Sequence, residues 1–165
     1  MGGIMDKICS FFGHRQIMNT EWLRKRVTFL VERLIVEQGY AIFLFGGFGE
    51  FDELCYNIVS HLKEKYPKLQ RIYCVHDEKY LLERKRPVYL RTTDYEEFIY
   101  LPLSFDYWYT RIYYRNCEMI ERSDYIIFYT ENRKNSGANK ALEYAKRHKK
   151  EYANLFYERN DNHRD

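Results

Sequence analysis

The sequence has no long apolar run. Its longest, such as Ala41 to Phe48, fall far below the roughly 18 residues that a membrane helix needs. Cysteine is scarce and scattered: Cys9, Cys55, Cys74 and Cys117 form no C-x-x-C pair and have no histidine at zinc spacing. His14, His61, His76, His148 and His163 likewise include no pair at ligand spacing on one helix face, so neither a metal nor another cofactor is expected. The start, Met1 to Phe12, carries an acid and a base and lacks the apolar stretch of a signal peptide. With unpaired thiols, that predicts a cytoplasmic protein. An excess of one charge is missing too. Lys plus Arg number 27 against 24 for Asp plus Glu, a formal charge of +3, which argues against a dedicated polyanion binder and so against nucleic acid as a partner.

What is present is the material of one globular domain. The chain has 165 residues, 45% hydrophobic and 31% charged, enough for a core without disulfide or metal staples. No repeat, low-complexity tract or linker divides it. Residues 1–156 read as a single domain, and 157–165 (YERNDNHRD) as a polar tail. Aromatics are abundant, with 17 Tyr, 11 Phe and 2 Trp, and this surplus predicts a homo-oligomer.

Short apolar runs alternate with helical patterns. Strands are predicted at Lys7–Phe12, Ala41–Phe45, Arg71–Val75, Phe98–Leu101, Tyr125–Tyr129 and Tyr152–Phe156. Helices are predicted at Thr20–Gln38, stopped by Gly39, and at Glu50–Lys65, Tyr107–Arg122 and Ala138–His148. Strands apolar on both faces and separated by amphipathic helices mean a parallel sheet covered on both sides. The right-handed crossover rule makes it an α/β, Rossmann-like, doubly wound fold.

Ligands of such sheets bind beyond the carboxyl ends of the strands, so the residues after each strand are the candidates. After the first come Gly13, His14 and Arg15: either a tight turn with a surface arginine, or a turn that offers a guanidinium to phosphate or carboxylate. After the second come Gly46, Gly47, Phe48, Gly49 and Glu50, whose backbone amides beside a helix N-terminus would cradle an anion. Asp52 and Glu53 follow, as helix caps or as functional acids; the absence of a Walker lysine excludes P-loop hydrolysis. After the fifth, Ser136 and Gly137 supply either amides and a hydroxyl or an ordinary N-cap. Arg115 and Asn116 lie on the preceding helix. His76-Asp77-Glu78, after the third strand, reads as a solvated loop ahead of a source of acids for a general base or a ribose. The tyrosine-rich segment from Tyr95 to Tyr114 reads as core packing or a dimer surface, with one or two rings left to stack on a base.

FFGHR, GGFGEFDELC, YRNCEMIERSDYIIFYT and NSGANKALEYAKR, in that order, resemble the SLOG superfamily of Rossmann-like domains, which groups DprA, the LOG hydrolases and the YpsA-like proteins. Length and motif order are most similar to the YpsA-like members, over about Lys7 to Leu155. The resemblance implies a site for a nucleotide-derived molecule built from Gly13, Arg15, the Gly46–Asp52 loop and Ser136-Gly137. Arg115 matches the helix arginine linked to catalysis in the LOG hydrolases. Their P-G-G-x-G-T-x-x-E signature is reduced here to Ser136-Gly137.

Three functions are then expected in order. First is binding or sensing of a nucleotide-derived small molecule. Second is N-glycosidic cleavage of a nucleoside monophosphate, with Asp52 or Glu53 as the acid and Arg115 holding phosphate. Third is single-stranded DNA binding.

Overall fold

The computed structural model describes residues 6–47, 49–85, 95–100, 108–133 and 136–162. Six strands occupy one sheet: β1 (Lys7–Gly13), β2 (Tyr40–Phe45), β3 (Gln70–Val75), β4 (Glu97–Tyr100), β5 (Tyr125–Tyr129) and β6 (Glu151–Asn154). Their order is β4-β3-β2-β1-β5-β6, and every pairing is parallel. The chain steps outward from β1 to β4, then returns to the other side of β1 for β5 and β6. This is the doubly wound arrangement predicted, with its switch in strand order between β1 and β5.

Alternation along the central strands explains why they are apolar on both faces. Cys9, Phe11, Phe43, Phe45, Ile127 and Tyr129 point to one side; Phe12, Leu44, Ile126 and Phe128 point to the other. The first side is covered by α1 (Glu21–Gln38) and α2 (Glu50–Lys65), the second by α3 (Trp108–Arg122) and α4 (Gly137–Arg147). Helix α1 buries Leu23, Val27, Val31 and Leu34, a 3.6-residue stripe. Thr20 caps its start through Oγ1, which accepts the Leu23 amide hydrogen at 3.2 Å. Gly39 ends it at φ 73°, a left-handed turn for which a side chain would be strained.

The C-terminus differs from expectation. Strand β6 ends at Asn154, and Leu155–Asn162 form a further helix, α5. Fully buried Leu155 anchors it against the α1 side, and Glu158 grips Arg26 of α1 through two hydrogen bonds of 2.7 and 3.3 Å. Polar composition concealed this helix, whose apolar anchor is its first residue, Leu155.

Candidate functional site

A cavity of about 540 Å³ lies at the carboxyl ends of β1 and β5, at the switch in strand order. The loop after β1 supplies Gly13, His14, Arg15 and Gln16; Gly46 and Asp52 come from the loop and helix after β2. Helix α3 contributes Ile112, Arg115 and Asn116, and the passage from β5 to α4 contributes Arg133, Ser136, Gly137 and Ala138. Sequence-distant candidates therefore meet around one hollow. Gly47, Glu50 and Glu53 are outside its lining, and Phe48 lies outside the described residues.

The β2 loop is closed on itself. Asp52 is buried, and its carboxylate accepts the amide hydrogens of Gly46 (3.2 Å) and Gly47 (3.0 Å). Two of the amides read as an anion cradle thus already donate to a carboxylate supplied by the chain. Arg115 closes the other side. It is 2% exposed, and Nη1 donates to the carbonyls of Gly46 (2.7 Å) and Cys74 (3.2 Å), while Nε donates to Asn116 Oδ1 (3.1 Å). This guanidinium joins the ends of β2 and β3 and forms part of the cavity floor. A Cβ at Gly46 would stand 2.9 Å from its Nη2, so a side chain there would push the buried guanidinium out of place.

Glu50 also acts within the scaffold. Its amide donates to Arg15 O (2.8 Å), and its Oε2 accepts the Ile17 amide hydrogen (2.6 Å). The exit loops of β1 and β2 are tied by this exchange, and Gly49, at φ 91°, lets the two backbones approach: a Cβ would meet Arg15 Cα at 2.7 Å. Gly13 has a packing duty as well, since a Cβ there would lie 2.4 Å from the Phe51 ring.

His14 is 8% exposed, and its Nε2 accepts the Glu131 amide hydrogen at 2.9 Å. An accepting Nε2 places the ring proton on Nδ1 and requires a neutral imidazole. Burial lowers its pKa, Arg133 lowers it further, and Glu131 opposes them. His76, expected in a solvated loop, is instead 3% exposed, and burial together with the charge of Arg115 lowers its pKa to about 3. Asp77 is used locally: Oδ1 accepts the Lys79 amide hydrogen (3.1 Å) and Oδ2 pairs with Arg111 (3.3 Å).

The α4 side is open. Ser136 Oγ accepts the Asn139 amide hydrogen at 3.3 Å, the N-cap role. An added Cβ at Gly137 would meet nothing within 4 Å. Arg133, ion-paired with Glu131, was missed in the sequence although it stands in the exit loop of β5 where candidates were sought. Three arginines against one carboxylate line the hollow, and the positive end of α4 adds to them. Phe12 and Ile112 supply apolar wall. Of the tyrosine-rich segment, Tyr95 stacks on Tyr73 and meets Phe45, Tyr56 and Phe98, which is core packing; residues 101–107 lie outside the described residues.

No protein-family model matches the chain, and no curated protein matches it. Solved structures do. A structural-genomics target, TM1055, aligns with 88% of this chain and 72% of its own at 14% identity and a TM-score of 0.56. DprA from Streptococcus pneumoniae aligns with 89% of this chain and 49% of its own, at 13% identity and a TM-score of 0.61. DprA from Helicobacter pylori aligns with 88% and 63%, at 15% identity and a TM-score of 0.57. The chain thus spans about half to two-thirds of the DprA chains. At these identities the likeness is one of fold: an α/β, Rossmann-like domain. The Helicobacter structure is described by its single-stranded DNA binding mode. That corrects the expectation drawn from net charge, for a nucleic-acid partner occurs on this very fold. Net charge averages over the whole surface and is silent about three arginines gathered at one hollow. No helix among the described residues is long and apolar enough to cross a membrane.

Proposed function

We propose that the domain binds a phosphate-bearing, nucleotide-derived molecule in this cavity. One observation carries the reading: Arg15, Arg115 and Arg133 converge with the N-terminus of α4 on a hollow of about 540 Å³, a volume that suits a mononucleotide. The phosphate belongs at the open α4 side, beside Gly137 and Arg133, because the β2 loop amides are held by Asp52. Phe12 and Ile112 offer apolar surface to the remainder of the ligand. The motifs FFGHR and GGFGEFD support a place beside the YpsA-like proteins, and four buried thiols suit a cytoplasmic setting.

Binding is favoured over N-glycosidic cleavage. Of the acids named for that reaction only Asp52 reaches the cavity, and both its oxygens accept amide hydrogens that hold it as a structural carboxylate. The DprA fold supports a second reading, in which the same arginines contact the backbone of single-stranded DNA.

Calorimetric titration with inorganic phosphate, nucleoside monophosphates and a short single-stranded oligonucleotide tests these readings together. Saturable binding of a mononucleotide, weakened at least tenfold by Arg133→Ala and without release of free base, is the expected result. Preference for the oligonucleotide with steep salt dependence would favour the second reading, and release of base the enzyme. No saturable binding of any of the three would overturn the proposal.

A further inference from the structure

Three consecutive amides leave β5 toward the cavity, and each donates to a side chain. The Thr130 amide donates to Asn154 Oδ1 (3.2 Å), the Glu131 amide to His14 Nε2 (2.9 Å), and the Asn132 amide to Tyr157 Oη (3.1 Å). Asn154 adds a return bond from Nδ2 to the Thr130 carbonyl (2.8 Å), and its Oδ1 also accepts the Phe156 amide hydrogen (3.3 Å). Phe156 in turn sets its ring against His14 and Tyr129, with centroids 6.5 and 5.4 Å away. The next residue in this passage is Arg133, which lines the cavity. Two of the three acceptors, Asn154 and Tyr157, therefore come from the C-terminal β6–α5 turn, which contributes no side chain to the lining itself.

We infer that the β6–α5 turn is a positioning element of the ligand site: Asn154 and Tyr157 fix the β5 exit loop and thereby hold Arg133 where it meets the anion. The inference rests on the proposed function for its ligand but not for its geometry. A guanidinium on a loose loop must be ordered each time a ligand arrives, and that entropy is subtracted from the affinity; a loop pinned at three successive amides has been ordered in advance. Tyr157 suits this role because its ring is half-exposed and its hydroxyl alone makes the bond, so the bond can be removed without disturbing the core. Arg26 and Glu158, bonded between α1 and α5, hold the helix from the far side.

The test is a double-mutant cycle on the full chain, with adenosine monophosphate and inorganic phosphate as the probes. Tyr157→Phe keeps the ring and its edge contact with Phe156 (5.5 Å) and removes only the acceptor oxygen. Its expected effect is a loss of affinity of roughly threefold, and of roughly tenfold for Asn154→Ala, with no loss for either in an Arg133→Ala background. Equal losses with and without Arg133 would assign the turn a merely structural role and overturn the inference. A readout without ligand separates its failure from that of the binding proposal. In the ligand-free protein the ¹⁵N resonance of Arg133 Nε should shift and narrow in Tyr157→Phe, while that of Arg71 Nε, fixed on Glu96 at 3.2 Å, stays in place. If neither probe binds, an unmoved Arg133 resonance overturns the inference and a shifted one sustains the positioning.

Discussion

Two of the glycine-bearing junctions that face this cavity, the one after β2 and the one before α4, do opposite things. After β2, the chain turns its polar groups on itself: the Gly46 and Gly47 amides donate to Asp52, the Gly46 carbonyl accepts from Arg115, and the Glu50 carboxylate accepts the Ile17 amide hydrogen. Before α4, Gly137 borders open space, and the side-chain cap among the described residues is Ser136 on Asn139. The first junction is a wall and the second a mouth. Glycine serves both, at Gly46 because a side chain would displace the Arg115 guanidinium and at Gly137 for a reason that packing does not supply. A glycine-rich loop thus reveals a close approach without telling whether the partner is a ligand or the chain itself.

The strongest way to break this contrast is to open the wall. Arg115→Met removes the donor from two buried carbonyls, and a loss of about 3 kcal/mol in urea unfolding is expected, each such group costing ~1–3 kcal/mol when left unsatisfied. Binding at the mouth should weaken with it, because the cavity floor loses its charge. Unchanged stability would mean that the guanidinium is not what joins β2 to β3.

How much of this contrast could be read in the residues differs between its parts. The sheet was legible because β1, β2 and β5 are apolar on both faces and Gly39 stops α1 where a left-handed residue is required. So was the ring of candidate loops, since strand ends in a doubly wound sheet fix where exits lie. The partners within the loops were not. Whether Asp52 turns back to amides five and six positions earlier or outward to a ligand depends on the first turn of α2, which composition leaves open. Arg115 could be placed on its helix but not seen to be buried, because its burial arises only when α3 crosses the ends of β2 and β3. Helix α5 was read as tail because YERNDN carries almost no apolar signal, while Leu155 and the Arg26–Glu158 pair hold it in place.

Acid offers a gentler way to loosen the wall. The folded pKa of His76, about 3, lies below its ordinary value of 6.5, so between those values the unfolded chain holds the extra proton. The stability gained from keeping the ring neutral is complete above pH 6.5 and is lost as pH falls toward 3; His14 shifts in the same direction. Glu96, which burial would raise but the Arg71 bonds bring down to about 2, adds a loss only below 4.5. From about pH 7.5 to about pH 5.5 His76 alone therefore implies a decline of about 1 kcal/mol. Denaturant midpoints across that interval should drop in the natural protein and flatten in His76→Gln; equal slopes would place the titrating group elsewhere.

The smallest change in stability should come from the mouth, and it is the most telling. Gly137→Ala puts a methyl group into open space at the first residue of α4, where alanine favours the helix, so stability should stay level or rise by about 0.5 kcal/mol. A ligand phosphate seated on the α4 amides needs that space, and affinity for a nucleoside monophosphate should fall while the unfolding midpoint does not. Gly46→Ala provides the opposite pattern, a stability loss from the 2.9 Å approach to Arg115. The two substitutions make the same chemical change at two junctions. If Gly137→Ala left affinity untouched, the phosphate would have to sit away from the α4 amides, and the arginines alone would have to hold it.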